Sequence, residues 1–280
     1  MKTTKIEWTE HSWNPVIGCT KISEGCKNCY AEKMAKWLCV MGNESYFPVV
    51  DPKGWTGKTN FAESQLNKPF KFKKSSMFFV VSMGDLFHES VPFEWVDKTM
   101  TVIASNPHHI FQVLTKRPKQ MNEYFNYEDI SWMSEKMMGF ERIRYYCYHN
   151  NGMNIEYEDF YPLKNLWLGV TTENQKWADE RIPELLKIPA KVRFLSIEPC
   201  LGYISLFYHT SCFTSVDWVI VGSESGPNRR PAKLEWIESI VDQCQTANVP
   251  VFVKQLEING KLVKDINKFP KHLQLREYPI

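Results

Sequence analysis

Three cysteines stand close together near the start of the chain: Cys19, Cys26 and Cys29, in the run Gly18-Cys19-Thr20-Lys21-Ile22-Ser23-Glu24-Gly25-Cys26-Lys27-Asn28-Cys29-Tyr30. Six residues separate the first two and two separate the last two. Thiolates are metal ligands. No fourth Cys or His follows at the usual pair spacing, so the set suits a metal or a cluster with one coordination position open. Zinc is one candidate, but structural zinc takes four ligands, often as two Cys-x-x-Cys-like pairs. One such pair exists here, Cys26 and Cys29, and His11 is the distant residue left to complete a site. An iron–sulfur cluster is the other candidate, because a 4Fe–4S cluster held by three thiolates keeps one iron open for a small molecule. Gly18 and Gly25 each precede a ligand and let the chain turn sharply around such a group.

The remaining cysteines, Cys39, Cys147, Cys200, Cys212 and Cys244, are scattered and read as small buried hydrophobes. The first residues, Met1 to Trp8, hold no apolar signal-peptide core, so the eight cysteines predict reduced thiols and a cytoplasmic protein. No apolar run reaches the roughly 18 residues of a membrane span, so no membrane partner is expected. The net charge of +2 is too small to argue for nucleic acid, and 43% hydrophobic residues in 280 can build a sizeable core.

Six short apolar runs must position the chemistry. They are Met77–Ser82, His109–Leu114, Leu166–Val170, Val192–Ile197, Trp218–Val221 and Val249–Val253. Near-continuous apolar runs read as strands buried on both faces, as in a parallel sheet. Between them, 93–105, 174–186 and 234–247 carry helical spacing; Leu234, Ile237, Ile240 and Val241 form one stripe. Alternating strands and helices predict an α/β fold with right-handed crossovers, a partial or full parallel (βα) barrel, with no GxGxxG fingerprint for a dinucleotide. The cysteine loop follows Trp13-Asn14-Pro15-Val16-Ile17, read as the end of a first strand, and residues from Tyr30 open a helix. One barrel domain over 1–280 is expected, with an insertion or elaborated crossover at 126–162. The irregular stretch 42–76 ends with Lys68, Lys71, Lys73 and Lys74, which read as a solvated surface or as phosphate contacts.

Charged residues fall just after each run: Asp85, Lys116, Arg117, Glu173, Glu198, Glu224 and Lys254. In an α/β barrel these positions share the C-terminal rim, where active sites lie. His88 follows Asp85 and is a candidate proton donor or substrate contact. His108 and His109 precede a strand and belong to the opposite end.

Three cysteines after the first strand of such a barrel resemble the radical SAM superfamily, although its usual spacing is three residues and then two. The closer resemblance is to the phage-associated three-cysteine-motif proteins, a radical-SAM-like family. It is carried by Ile6-Glu7-Trp8-Thr9 with Trp13-Asn14-Pro15, by the cysteine loop through Glu32, and by Ser82-Met83-Gly84-Asp85-Leu86-Phe87-His88. Leu114-Thr115-Lys116-Arg117-Pro118, 193–199, 217–227 and Phe252-Val253-Lys254-Gln255 complete it.

The resemblance implies a 4Fe–4S cluster on Cys19, Cys26 and Cys29, with S-adenosylmethionine (SAM) at the open iron. It implies reductive cleavage to a 5′-deoxyadenosyl radical, with electrons from a flavodoxin- or ferredoxin-type donor. Around the cofactor, Gly84 and Asp85 would meet the SAM amino group, Lys116 or Arg117 its carboxylate, and Thr171 and Glu173 its ribose. Glu198, Glu224, Lys254 and His88 would remain for substrate. A phage setting, in the host cytoplasm, favours a nucleobase in a nucleic acid or nucleotide, such as a hypermodified thymine, and isomerase-, mutase- or lyase-like chemistry. The alternative is a nucleic-acid- or partner-binding protein in which a cluster or zinc is structural.

Overall fold

The computed structural model of the protein describes residues 4–126, 162–206 and 215–279. The insertion expected at 126–162 lies, apart from its ends, outside the described residues, as do Cys147 and Cys212. The main strands are β1 (His11–Trp13), β2 (Met77–Val80), β3 (Ile110–Thr115), β4 (Leu166–Thr171), β5 (Val192–Ile197), β6 (Trp218–Gly222), β7 (Val251–Ile258) and β8 (Lys261–Val263). The helices are α1 (Tyr30–Val40), α2 (Phe93–Ala104), α3 (Pro118–Asn126), α4 (Gln175–Leu186) and α5 (Leu234–Thr246).

The eight strands form one sheet in sequence order from β1 to β8. β1, β2 and β3 run parallel, as do β5, β6 and β7. β8 pairs antiparallel with β7. The architecture is therefore α/β with a mostly parallel sheet. Among the described residues no helix is long and apolar enough to cross a membrane.

The chain divides into two compact units. The first comprises Met1–Lys21, Tyr30–Trp167 and Lys187–Lys191. Its core is aromatic: Trp13, Phe78 and Phe111 are fully buried, and the Phe78 and Phe111 rings stack with centroids 5.4 Å apart. The first strand ends at Trp13 rather than Ile17, because Pro15 has no N–H to extend the ladder. Val16–Ile17 instead pairs antiparallel with Asn60–Phe61. The chain then returns to β2 at Gly18, whose N–H donates to the Met83 carbonyl at 3.1 Å. Gly18 holds φ +102°, and a Cβ on Gly84 would lie 2.7 Å from the Gly18 oxygen. Both positions therefore require glycine, and the backbone contact sets Cys19 beside the C-terminal end of β2. Gly84, expected to approach a cofactor, here approaches Gly18.

Lys71, Lys73 and Lys74 are exposed and lie just before β2, at the strand-start end of this unit, away from Cys19. Lys68 is half-buried and donates to the Ser12 carbonyl at 2.6 Å. The cluster is thus an exposed edge with one packed member.

The second unit comprises Ile22–Cys29, Leu168–Leu186 and Val192–Ile280. In it β6 is buried at every residue and β5 at every residue but Arg193, as their apolar runs require. The Asn174 side chain accepts from the Trp177 N–H at 3.2 Å and caps α4. On α5, Ile237, Ile240 and Val241 are buried, as their stripe predicts. The β7–β8 hairpin turns through Asn259 and Gly260, both at positive φ, which is the type I′ signature of an Asn-Gly pair.

Gly169 packs against the face of Phe194, and a Cβ there would lie 2.5 Å from the ring. Gly169→Ala is expected to destabilise the protein by about 1–3 kcal/mol through overpacking, read as a lowered thermal midpoint. Adding Phe194→Leu should recover part of that loss.

Candidate metal centre at the cysteine loop

Cys19, Cys26 and Cys29 are of intermediate exposure, and none of them forms a disulfide among the described residues. In the first unit, Cys19 is tied to a buried cation. Nη1 of Arg117 lies 3.7 Å from the Cys19 sulfur and 3.1 Å from Oδ2 of Asp85. Nε of Arg117 donates to Glu89 at 2.8 Å, and Nη2 donates to the Thr20 hydroxyl at 2.6 Å. Every nitrogen of the guanidinium is therefore engaged. Burial works against the Arg117 charge, but Asp85, Cys19 and Glu89 outweigh it and raise its pKa.

Asp85 is itself saturated. Oδ1 accepts from the Thr115 hydroxyl at 2.7 Å and the Phe87 N–H at 3.1 Å, and Oδ2 also accepts from the Lys116 N–H at 3.2 Å. Its carboxylate orients Arg117. The Lys116 ammonium has no hydrogen bond or ion pair among the described residues. Of the two cations expected after β3, Lys116 is the one available to a ligand.

His88 is buried and holds the same loop. Its Nδ1 accepts from the Ser90 N–H at 3.1 Å, so the neutral ring carries its proton on Nε2, which donates to the Thr20 hydroxyl at 3.0 Å. Burial and the nearby Arg117 charge lower its pKa. The imidazole is a neutral fastener of the residue next to Cys19.

In the second unit, two carboxylates at strand ends hold the segment bearing Cys26 and Cys29. Glu173, fully buried after β4, accepts from the Gly25 N–H at 3.2 Å. Its other oxygen pairs with Arg181 of α4 at 2.9 Å. A Cβ on Gly25 would lie 2.8 Å from Oε1 of Glu173, so a larger residue there would force the buried carboxylate to shift. Glu224, after β6, accepts from the Asn28 amide at 3.0 Å and from Nη2 of Arg230 at 2.5 Å. Nη1 of Arg230 donates to the Glu24 carbonyl at 2.8 Å. Burial pushes the Glu224 carboxyl up, but Arg230 and Asn28 bring it below its ordinary value. Thr171 is buried, and its carbonyl accepts from Arg181 at 2.7 Å.

Glu198 and Lys254 make a separate pair in this unit, with Nζ 2.5 Å from Oε1. Gln255 donates to the same oxygen at 3.2 Å. Lys254 lies inside β7 rather than after it. The register opposite β6 skips it, since Val221 faces Val253 and Gly222 faces Gln255. Such a bulge re-aims a side chain, and here it delivers Lys254 to Glu198.

A single zinc ion would draw its thiolates to within about 4 Å of one another, since each bond is ~2.3 Å long. Among the described residues no three His, Cys, Asp or Glu side chains form a metal-holding group. A cluster takes each thiolate on a different iron and does not need them to converge. The donor types suit a cluster: three cysteines close together in the sequence, the first with the Arg117 guanidinium 3.7 Å from its sulfur. In the second unit, Nε and Nη2 of Arg181 are buried and have no hydrogen-bond partner among the described residues. The sequence reading missed Arg181, Arg230 and Thr115. Arg181 and Arg230 lie inside a helix and in a loop, not at strand ends, and their only sequence signal is a carboxylate a few residues upstream.

Removing Arg117 would leave Asp85 as a buried charge without its cation. Arg117→Ala is expected to cost about 3–5 kcal/mol in chemical denaturation. Charging His88 would break its acceptor bond from Ser90. Its folded pKa lies below the ordinary 6.5, so the stability it contributes is present above that value and is lost as pH falls through the folded one. Denaturation midpoints at about pH 7 and about pH 5 should therefore diverge in the natural protein and converge in part in His88→Gln.

No curated protein and no solved structure matches the chain. One family model covers residues 3–277, and its description is a protein of unknown function. The chain, loop and charged strand ends included, belongs to that family, DUF5131.

Proposed function

We propose that the protein is a radical SAM enzyme, with Cys19, Cys26 and Cys29 holding a 4Fe–4S cluster and the sheet serving as a radical-SAM-type partial barrel. The observation that carries this reading is the investment of buried charge in one loop. Arg117 with Asp85 fastens the Cys19 segment, and Glu173 and Glu224 fasten the Gly25 and Asn28 segment. A short surface loop has no structural need for such restraint; a cofactor that must be held in one orientation does. When bound, the cluster supplies one electron to SAM, which separates into methionine and a 5′-deoxyadenosyl radical.

The chain's own residues divide the remaining work. Lys116 offers its ammonium to the SAM carboxylate, because Arg117 is already committed. Asp85 and Glu173, expected to touch SAM, act instead through Arg117 and the Gly25 backbone. Glu224 likewise holds Asn28 rather than a substrate. Lys254 and Glu198, close enough to share a proton, are the acid–base pair for the substrate. A nucleobase is the substrate class we assign, on the family resemblance carried by the sequence. A flavodoxin- or ferredoxin-type protein is the electron donor.

Anaerobic reconstitution should load about four irons per chain. Reductant and SAM should then yield 5′-deoxyadenosine, and Cys29→Ala should abolish both. Lys116→Ala should keep the iron and weaken SAM binding by about tenfold, the worth of one charge-assisted hydrogen bond. A chain that takes up no iron, or loaded protein that leaves SAM intact, would falsify the proposal. The substrate class is checked by mass spectrometry of nucleosides from cells making the natural protein or Cys29→Ala; identical nucleosides would rule out a nucleobase.

A further inference from the structure

The Arg117 side chain is 3% exposed, and that of Asp85 beside it 6%. Nη1 of Arg117 is divided between two acceptors, the Asp85 carboxylate at 3.1 Å and the Cys19 sulfur at 3.7 Å. The other nitrogens fix the plane of the guanidinium. Nε donates to both oxygens of Glu89, at 2.9 and 2.8 Å, and Nη2 to the Thr20 hydroxyl at 2.6 Å. Nη2 also meets the Thr20 carbonyl at 3.4 Å, so the cation holds the backbone next to Cys19 as well as the sulfur. A buried ion pair with Asp85 alone could use lysine; a fork that meets a sulfur, two carboxylates and a loop at once needs arginine. The Cys26 sulfur, in the second unit, has a neutral neighbour instead and shares a hydrogen bond with the Ser23 hydroxyl at 3.7 Å. Among the described residues, the charged donor therefore falls on Cys19. Two carboxylates compensate that cation from different surroundings: Asp85 is buried, and Glu89 is 56% exposed.

We propose that Nη1–H of Arg117 stays bonded to the Cys19 sulfur when that sulfur ligates the cluster, and that this bond raises the reduction potential of the cluster. The proposal rests on the radical SAM reading above. An electron accepted by the cluster adds negative charge, so a cationic donor at a ligand sulfur favours the reduced state. Asp85, on the same nitrogen, and Glu89, on Nε, oppose that effect by compensating the cation. Arg117 is a positioning and tuning residue; it touches a cluster ligand and not the substrate.

The test is a redox titration of the anaerobically reconstituted protein without SAM, followed by electron paramagnetic resonance, with iron content and thermal midpoint measured alongside. Arg117→Lys keeps a cation for Asp85 but cannot reach the sulfur through the same fork. It should load iron and shift the reduction potential to more negative values. Glu89→Gln keeps an acceptor for Nε and removes a mostly exposed negative charge, so the fold should tolerate it. Its potential should shift the other way, to more positive values, and by less at high salt. Glu89→Gln carries the test where Arg117→Lys fails to fold or load. A merely structural role for Arg117 would lower the thermal midpoint and leave both potentials where they were. Unchanged potentials in every variant that loads, or a negative shift in Glu89→Gln, overturn the proposal while the cluster stands. A natural chain that takes up no iron overturns the cluster, and the proposal with it.

Discussion

A charge taken out of water must be paired, and the described structure around the cysteine loop is arranged to satisfy that rule. Arg117 with Asp85, and Arg181 with Glu173, are ion pairs whose side chains are almost wholly buried. Neither pair is an efficient way to stabilise a fold, since well-packed apolar residues would serve as well or better. What the pairs do is fix orientation. Asp85 turns Arg117 toward Cys19, and Glu173 turns Arg181 while holding Gly25.

The strands supply the rigidity that makes this possible. Parallel strands bring their C-terminal ends to one edge, and short loops there place acidic and basic residues on side chains that cannot wander. Two close approaches complete the loop's support, Gly84 against Gly18 in one unit and Gly25 against Glu173 in the other. A side chain at Gly84 would run into the Gly18 backbone, and one at Gly25 would push the buried Glu173 carboxylate aside. The lysine run at 71–74, at the strand-start end, takes no part in this arrangement.

Much of the fold was legible because a buried parallel strand has an unmistakable composition. Runs such as Trp218–Val221 left little alternative, and the helical stripe of α5 was equally plain. The β7–β8 hairpin was readable and went unread: Asn259-Gly260 is the strongest two-residue turn signal there is. The bulge at Lys254 was not readable, since periodicity does not reveal one extra residue in a ladder. The site was legible as a set of residues but not as a set of partnerships. Asp85, Glu173 and Glu224 sit where polar strand ends were expected, but their carboxylates face arginines whose placement depends on tertiary packing. Arg181 lies in the middle of a helix, where no strand-end pattern marks it.

The central claim is that the loop holds a redox cluster to which SAM binds. The most direct measurement is the electron paramagnetic resonance spectrum of the reduced, reconstituted protein before and after SAM is added. The expected result is a 4Fe–4S signal that changes on SAM addition and is absent from Cys29→Ala. A reduced protein with no cluster signal, or a signal indifferent to SAM, would contradict it.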